Sequence, residues 1–180
     1  NMKWKEITTA LEGIDEKPLR FLRYFIMSNY DVSEVKDGIL REDQIYSWLS
    51  SNNDQCRYEE LPFEFVQRMK LNVDRYISFL KPQDTENGNI HLTNISLLAG
   101  RSYKLHLMLL LSASQMETSA LAKFKKIVES IVYYTVINRT TTNMTERTFA
   151  GWCPQIRSIK TEEDLDGFIQ RYVLPTVNSW

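Results

Sequence analysis

With 180 residues, 43% of them apolar and 12% aromatic, the chain has enough material to bury a core as one domain, or as two small lobes sharing one. Six Gly and five Pro are fewer than the frequent turns of a strand-rich fold normally require, and a formal net charge of −1 excludes a uniformly basic or acidic protein. No uncharged run reaches the roughly 20 apolar residues of a membrane span, and residues 2–17 are charged throughout, so neither a transmembrane helix nor a signal peptide is expected.

Trp4, Ile7 and Leu11 predict a short amphipathic opening helix that stops at Gly13. Pro18 suits the first turn of a second helix, which carries Leu22, Phe25 and Ile26 inward to about Asn29. A polar stretch containing Gly38 leads to a third helix over Arg41–Ser51 with Ile45, Trp48 and Leu49 on one face; Ser50–Cys56 reads as a loop. The clearest element is the fourth. Leu61, Phe65, Met69, Val73, Tyr76 and Leu80 recur at steps of four and three, which sets them in one apolar stripe, and Pro82 closes the helix.

Lys81–Asn89 is polar, with Asn87-Gly88 near its end, and is the best linker candidate. Beyond it the pattern predicts a short helix near Asn94–Ala99, a break at Gly100 and an apolar helix from Ser102 to Ser112. A long helix follows through Leu121, Phe124, Val128, Ile131, Val132 and Thr135. Its β-branched last turns are compatible with a strand, but the unbroken 3.6-residue period favours helix. Asn143 with Glu146 has the outline of a capping box for the next helix, which Pro154 is expected to stop. Thr161 with Asp164 caps the last helix, whose inward face is Leu165, Phe168, Ile169 and Tyr172. The expected fold is all-α: an irregular multi-helix bundle of about eight or nine helices forming a single domain over residues 1–180. An N-terminal lobe (about 2–80) and a C-terminal lobe (about 93–176) would meet near 81–92.

Charge is balanced overall and uneven locally. Residues 1–64 carry 8 Lys/Arg against 13 Asp/Glu; residues 121–160 carry 7 Lys/Arg against Glu129 and Glu146, a local +5. Such a segment marks either a surface for an anionic partner or an ordinary solvated face. Cys56 and Cys153 read as two reduced thiols of a cytoplasmic protein. The Asn-x-Ser/Thr sequons at Asn94, Asn138 and Asn143 are read as accidental, because no targeting segment accompanies them.

Residues able to do chemistry are scattered. His91, His106, Cys56 and Cys153 never reach metal-ligand spacing, no nucleophile elbow is present, and the few glycines form no phosphate loop, so no metal, cofactor or catalytic residue is assigned. Asp37-Gly38-Ile39-Leu40-Arg41 has the Asp-Gly-x-x-Arg outline of a nuclease motif. Its approach, Val32–Lys36, is polar where that motif needs a buried strand, so it reads as a loop and helix start.

Trp4-Lys5-Glu6-Ile7, then Phe21-Leu22-Arg23-Tyr24-Phe25 with Ser28-Asn29-Tyr30, resembles the start of the helical region in DNA-restriction proteins of the GmrSD type. Tyr76-Ile77-Ser78-Phe79-Leu80 closing the fourth helix is similar too. So is the pairing of the apolar Leu105–Leu111 helix with Phe124-Lys125-Lys126-Ile127-Val128-Glu129. Members of that family run from a ParB-like nuclease domain through a helical region to an HNH nuclease domain. The chain lacks the family's Asp-Gly-Gln-Gln-Arg string and any HNH constellation. The resemblance therefore implies an excised, non-catalytic middle piece, with Asn1 a tag remnant, that spaces the nuclease domains of its parent. Contact with DNA backbone would come from Lys123, Lys126, Arg139, Arg147 and Arg157. The alternative is a protein-interaction domain, for which exposed Met108, Met116 or Trp180 would speak; an unrecognised hydrolase is the third possibility.

Overall fold

The computed structural model describes residues 2–100 and 103–180, and among them 72% are helical and none lies in a strand. The opening helix α1 (Met2–Glu12) buries Ile7 and Leu11 and stops at Gly13, while α2 (Pro18–Asn29) opens with Pro18 in its first turn. Two 3₁₀ turns, Lys36–Gly38 and Glu42–Gln44, precede α3 (Ile45–Ser51). The Ser50–Cys56 loop expected from its polarity contains a further helical turn, α4 (Asn53–Cys56), which buries Cys56 and ends at Arg57 in the left-handed region. The predicted stripe forms α5 (Pro62–Leu80).

Turns over residues 81–88 end at Gly88 (φ 78°), and α6 runs Asn89–Ala99, starting five residues before its apolar pattern suggested. The short central helix α7 (His106–Ser112) leads to α8 (Thr118–Ile137), α9 (Thr142–Ile156) and α10 (Glu162–Phe168). A π turn (Ile169–Val173) and α11 (Leu174–Val177) complete the described residues, in which nine helices reach seven residues or more. The start proposed for the apolar helix at Ser102 lies outside the described residues; the observed one begins at His106.

The architecture is organised around α7. Every residue from Leu105 to Ala113 is buried, and α7 packs against α2, α5, α8 and α9. A helix that is apolar all round has no solvent face and must sit where helices cover it on all sides. The remaining pairs assemble around it: α1 on α5, α6 along α8, and α10 against α8. The buried apolar side chains form one contiguous cluster from Ile7 to Val173. Polar side chains tie off the ends of the buried pieces. Ser28 Oγ donates to the Met108 carbonyl at 3.1 Å, and Arg75 Nη2 reaches the carbonyls of Leu110 and Ala113 at 3.5 and 3.3 Å.

Three local expectations fail for identifiable reasons. The N-cap of α9 is Thr141, whose hydroxyl accepts from the Met144 N–H, and not Asn143. The nearby Glu146 is drawn instead into a hydrogen-bonded ion pair with Arg23 of α2. Pro154 does not stop α9, which continues to Ile156 because Cys153 and Ile156 are both held in the core and only the last turn bears the missing N–H. The β-branched end of α8 is helix, as its period required. At the C-terminal end the capping box of Thr161 and Asp164 is present, and the π turn then inserts one extra residue, so Val173 is buried and Tyr172 is moved to the margin.

Candidate functional site

The pairing of α6 with α8 builds a distinctive surface, and three contacts fix its geometry. Gly88 sits so close to α8 that a Cβ there would come within 2.7 Å of the Ala122 carbonyl oxygen. Lys125, buried under the turn, donates to the Asn87 carbonyl (2.9 Å) and to Asn89 Oδ1 (2.6 Å), while its Nζ lies 5.9 Å from the Phe79 ring centroid. Burial holds the Lys125 ammonium below the usual lysine range, with Asp84 opposing the shift. One turn further on, His91 Nδ1 meets Glu129 Oε2 at 2.5 Å. Both sequences ascend through these contacts, so α6 and α8 run parallel and end at the same end of the molecule.

The inward residues of the pair, Leu92 and Ile95 on α6 and Phe124, Val128, Ile131 and Val132 on α8, are buried. What they leave outside is unusual. Leu97 is 80% exposed and Ile137 56%, and Leu98, Tyr133, Tyr134 and Val136 are also open to solvent. Ile90 and Leu97 stand seven apart on one face of α6; Tyr133 stands three from Val136 and four from Ile137 on α8. The Tyr133 and Tyr134 rings meet edge to face at 6.2 Å between centroids.

The two helices that build this face carry few carboxylates. Residues 88–100 contain no carboxylate, and residues 118–141 contain only Glu129, which meets His91. Lys126 and Arg139 are exposed and, among the described residues, make no ion pair. Arg139 occupies the left-handed position after α8 (φ 52°). There the Thr140 N–H reaches back to the Thr135 carbonyl and the Arg139 N–H to Val136, a Schellman turn that sets its cation beside the apolar end.

The five cations singled out from the sequence do not share a surface. Lys123 is 2.8 Å from Asp166 and 3.7 Å from Glu162 of α10, and Asp166 raises its pKa. Arg147 pairs with Asp37 at 3.4 Å. Arg157 turns inward and closes the end of α2, donating to the carbonyls of Met27, Ser28 and Tyr30 at 3.5, 3.2 and 2.9 Å. Lys126 and Arg139 remain, about 20 Å apart along α8 and far from one face by helical phase. The Asp37-Gly38 string is a 3₁₀ turn with Asp37 at φ 64°, serving as the partner of Arg147.

The two thiols and one of the two histidines are shielded. Both cysteines are free and buried, and burial pushes the Cys153 thiol up to about 11. His106 is enclosed against the Tyr103 ring, with centroids 5.9 Å apart and planes nearly parallel, and burial holds its pKa down to about 3. No group of three or more His, Cys, Asp or Glu among the described residues is placed to hold a metal, and none of their helices is long and apolar enough to cross a membrane. Comparison with protein-family models, curated proteins and solved structures gives no match for the chain.

The apolar face carries a signal that was readable in the sequence. Ile90, Leu92, Ile95, Leu97 and Leu98 are distributed around α6, as the apolar residues are around α7, yet only one such helix can occupy the centre. Met108, whose exposure would have pointed to a partner, is buried, and Met116 and Trp180 pack against the core.

Proposed function

We propose that this chain is a non-catalytic helical module that docks a protein partner on the α6–α8 face. The observation carrying the proposal is that Leu97, Leu98, Tyr133, Val136 and Ile137 lie outside the core at one end of a parallel helix pair. Exposed aromatic and aliphatic side chains with a polar rim are the composition of a recognition surface. The occupant is an amphipathic helix whose apolar stripe carries a carboxylate at one edge, because Arg139, exposed and without an ion pair among the described residues, follows the apolar end of α8. On the resemblance to the helical region of GmrSD-type restriction proteins, that partner would be a nuclease domain of the same parent, with the module spacing the two nuclease domains.

Contact with DNA backbone is the weaker use of this face. Phosphates are met by cations and hydrogen-bond donors, which Leu97, Val136 and Ile137 do not supply. The test uses a photo-crosslinking residue at position 97, with position 46 as a control that is equally exposed, in cells producing the parent protein. Crosslinks from position 97 to a helix with an acidic edge, lost in Val136→Asp/Ile137→Asp, are the expected result; losing a docking anchor weakens binding about 30-fold or more. No crosslink at 97, together with salt-dependent duplex binding abolished by Lys126→Glu/Arg139→Glu, would overturn the assignment in favour of DNA.

A further inference from the structure

We infer that the cleft between α5, the end of α2 and the α7–α8 loop is a binding site for a phosphate monoester carried on a small, partly apolar body. Arg68, Leu71, Asn72, Arg75 and Ser78 line one wall; their spacing of three, four, seven and ten residues is that of one helix face. Asn29 closes one end, and Ser114 with Gln115 stands opposite, around a space of about 560 Å³.

The charge in the cleft is unbalanced. Neither arginine has a carboxylate partner among the described residues. Arg68 Nη1 donates to the Tyr30 hydroxyl at 3.0 Å with its guanidinium 5.8 Å from the Tyr30 ring centroid. Arg75 uses only Nη2, on the two long carbonyl contacts that close α7, and lies 5.6 Å from the Phe79 ring centroid. The single acid on the lining, Asp74, is held by Lys70 through both oxygens at 2.8 Å and turns its charge to that lysine.

The floor is already organised. Asn72, buried, donates to the Arg68 carbonyl (2.9 Å), and Asn29 donates to Asn72 Oδ1 (3.3 Å), so both amides are committed before a ligand arrives. Two planar guanidinium forks with unused N–H groups, plus the uncommitted side chains of Ser114 and Gln115, offer more donors than the two oxygens of a carboxylate can accept. A phosphate monoester, with three terminal oxygens and close to two charges, matches that number. Leu71, 60% exposed at the edge, is where the apolar or planar body of the ligand rests.

The site is tested by following the Arg68 and Arg75 side-chain Nε–H resonances while a nucleoside monophosphate is added to the intact chain. Two probes separate the sources of the signal: the matching nucleoside, and a dinucleotide with free 5′ and 3′ hydroxyls whose only phosphate is a diester. The monophosphate is expected to shift both resonances, inorganic phosphate to compete, and the nucleoside to do nothing. Arg68→Gln is expected to weaken binding roughly tenfold, since a charge-assisted fork is lost from a largely exposed position. Arg75→Lys tests the second cation while keeping a donor for the end of α7. Unshifted resonances, equal binding of the dinucleotide, or unchanged affinity in both folded variants would overturn the assignment.

Discussion

His106 shows how much one buried polar side chain decides. It is fully enclosed, and its Nδ1 has no hydrogen-bond partner among the described residues, so its ring acts as a flat, neutral wedge against Tyr103. Burial holds its pKa near 3, below the value of about 6.5 it takes in the unfolded chain. The unfolded state therefore binds the proton first as pH falls. The stability linked to this residue is complete above pH 6.5 and is lost progressively between pH 6.5 and about 3. The slope is about 1.4 kcal/mol per pH unit once the unfolded histidine is charged. Urea unfolding at pH 7 and pH 5 is expected to show a smaller loss of stability in His106→Leu than in the parent chain. Equal losses in the two would mean that the histidine finds a charge partner when protonated. Arg157 makes the complementary point: as a letter in the sequence it is a cation available to a phosphate, and in the fold its guanidinium closes a helix end.

The pairing of α6 with α8 rests on a glycine at the level of elements. Gly88 combines a positive φ with the approach to Ala122, so both its backbone freedom and its missing Cβ are used. Gly88→Ala is expected to lower stability by about 2 kcal/mol, the strain of a left-handed alanine plus displacement of backbone that cannot yield as a side chain could. Amide exchange should then rise over residues 89–99 while α2 and α7 stay protected; uniform protection would show that α6 does not depend on this contact.

The same elements show which parts of the fold sequence exposes. Pro18, Gly13, the Leu61–Leu80 stripe and the Thr161–Asp164 box are local devices whose physics is contained within a turn or two, and each acts where its residues stand. Asn143 misled because Thr141, two residues earlier, takes the cap, and Pro154 because the core that holds Cys153 and Ile156 is built from elsewhere in the chain. The basic count over 121–160 failed as a surface because partners again come from elsewhere. Asp166, Glu162 and Asp37, which take up Lys123 and Arg147, lie outside the counted segment. The Arg68–Arg75 cleft stayed hidden because a third of its lining is Asn29, Ser114 and Gln115, distant in sequence and ordinary in type.

For the whole molecule, Glu16 joins what the helices bring together. It sits in the turn between α1 and α2 with its side chain fully enclosed. Its Oε2 accepts from the Tyr76 hydroxyl of α5 at 2.6 Å and from Lys104, just before α7, at 2.9 Å. Its Oε1 accepts from the Lys17 N–H at 2.9 Å and lies 3.5 Å from Arg20. Burial first, and then the carboxylate, push the Tyr76 hydroxyl far up, so it remains a donor at any ordinary pH. A buried carboxylate with four partners is far more costly to break than to replace, since each single removal leaves an enclosed charge without its opposite. Glu16→Ala and Lys104→Met are each expected to cost about 3 kcal/mol, a large share of the stability of a domain this size. The double variant is expected to cost clearly less than their sum, with a coupling of more than about 1 kcal/mol by chemical denaturation. Additive losses would mean that Lys104 spends its charge on solvent, and that Tyr76 alone binds the α1–α2 turn to the centre of the bundle.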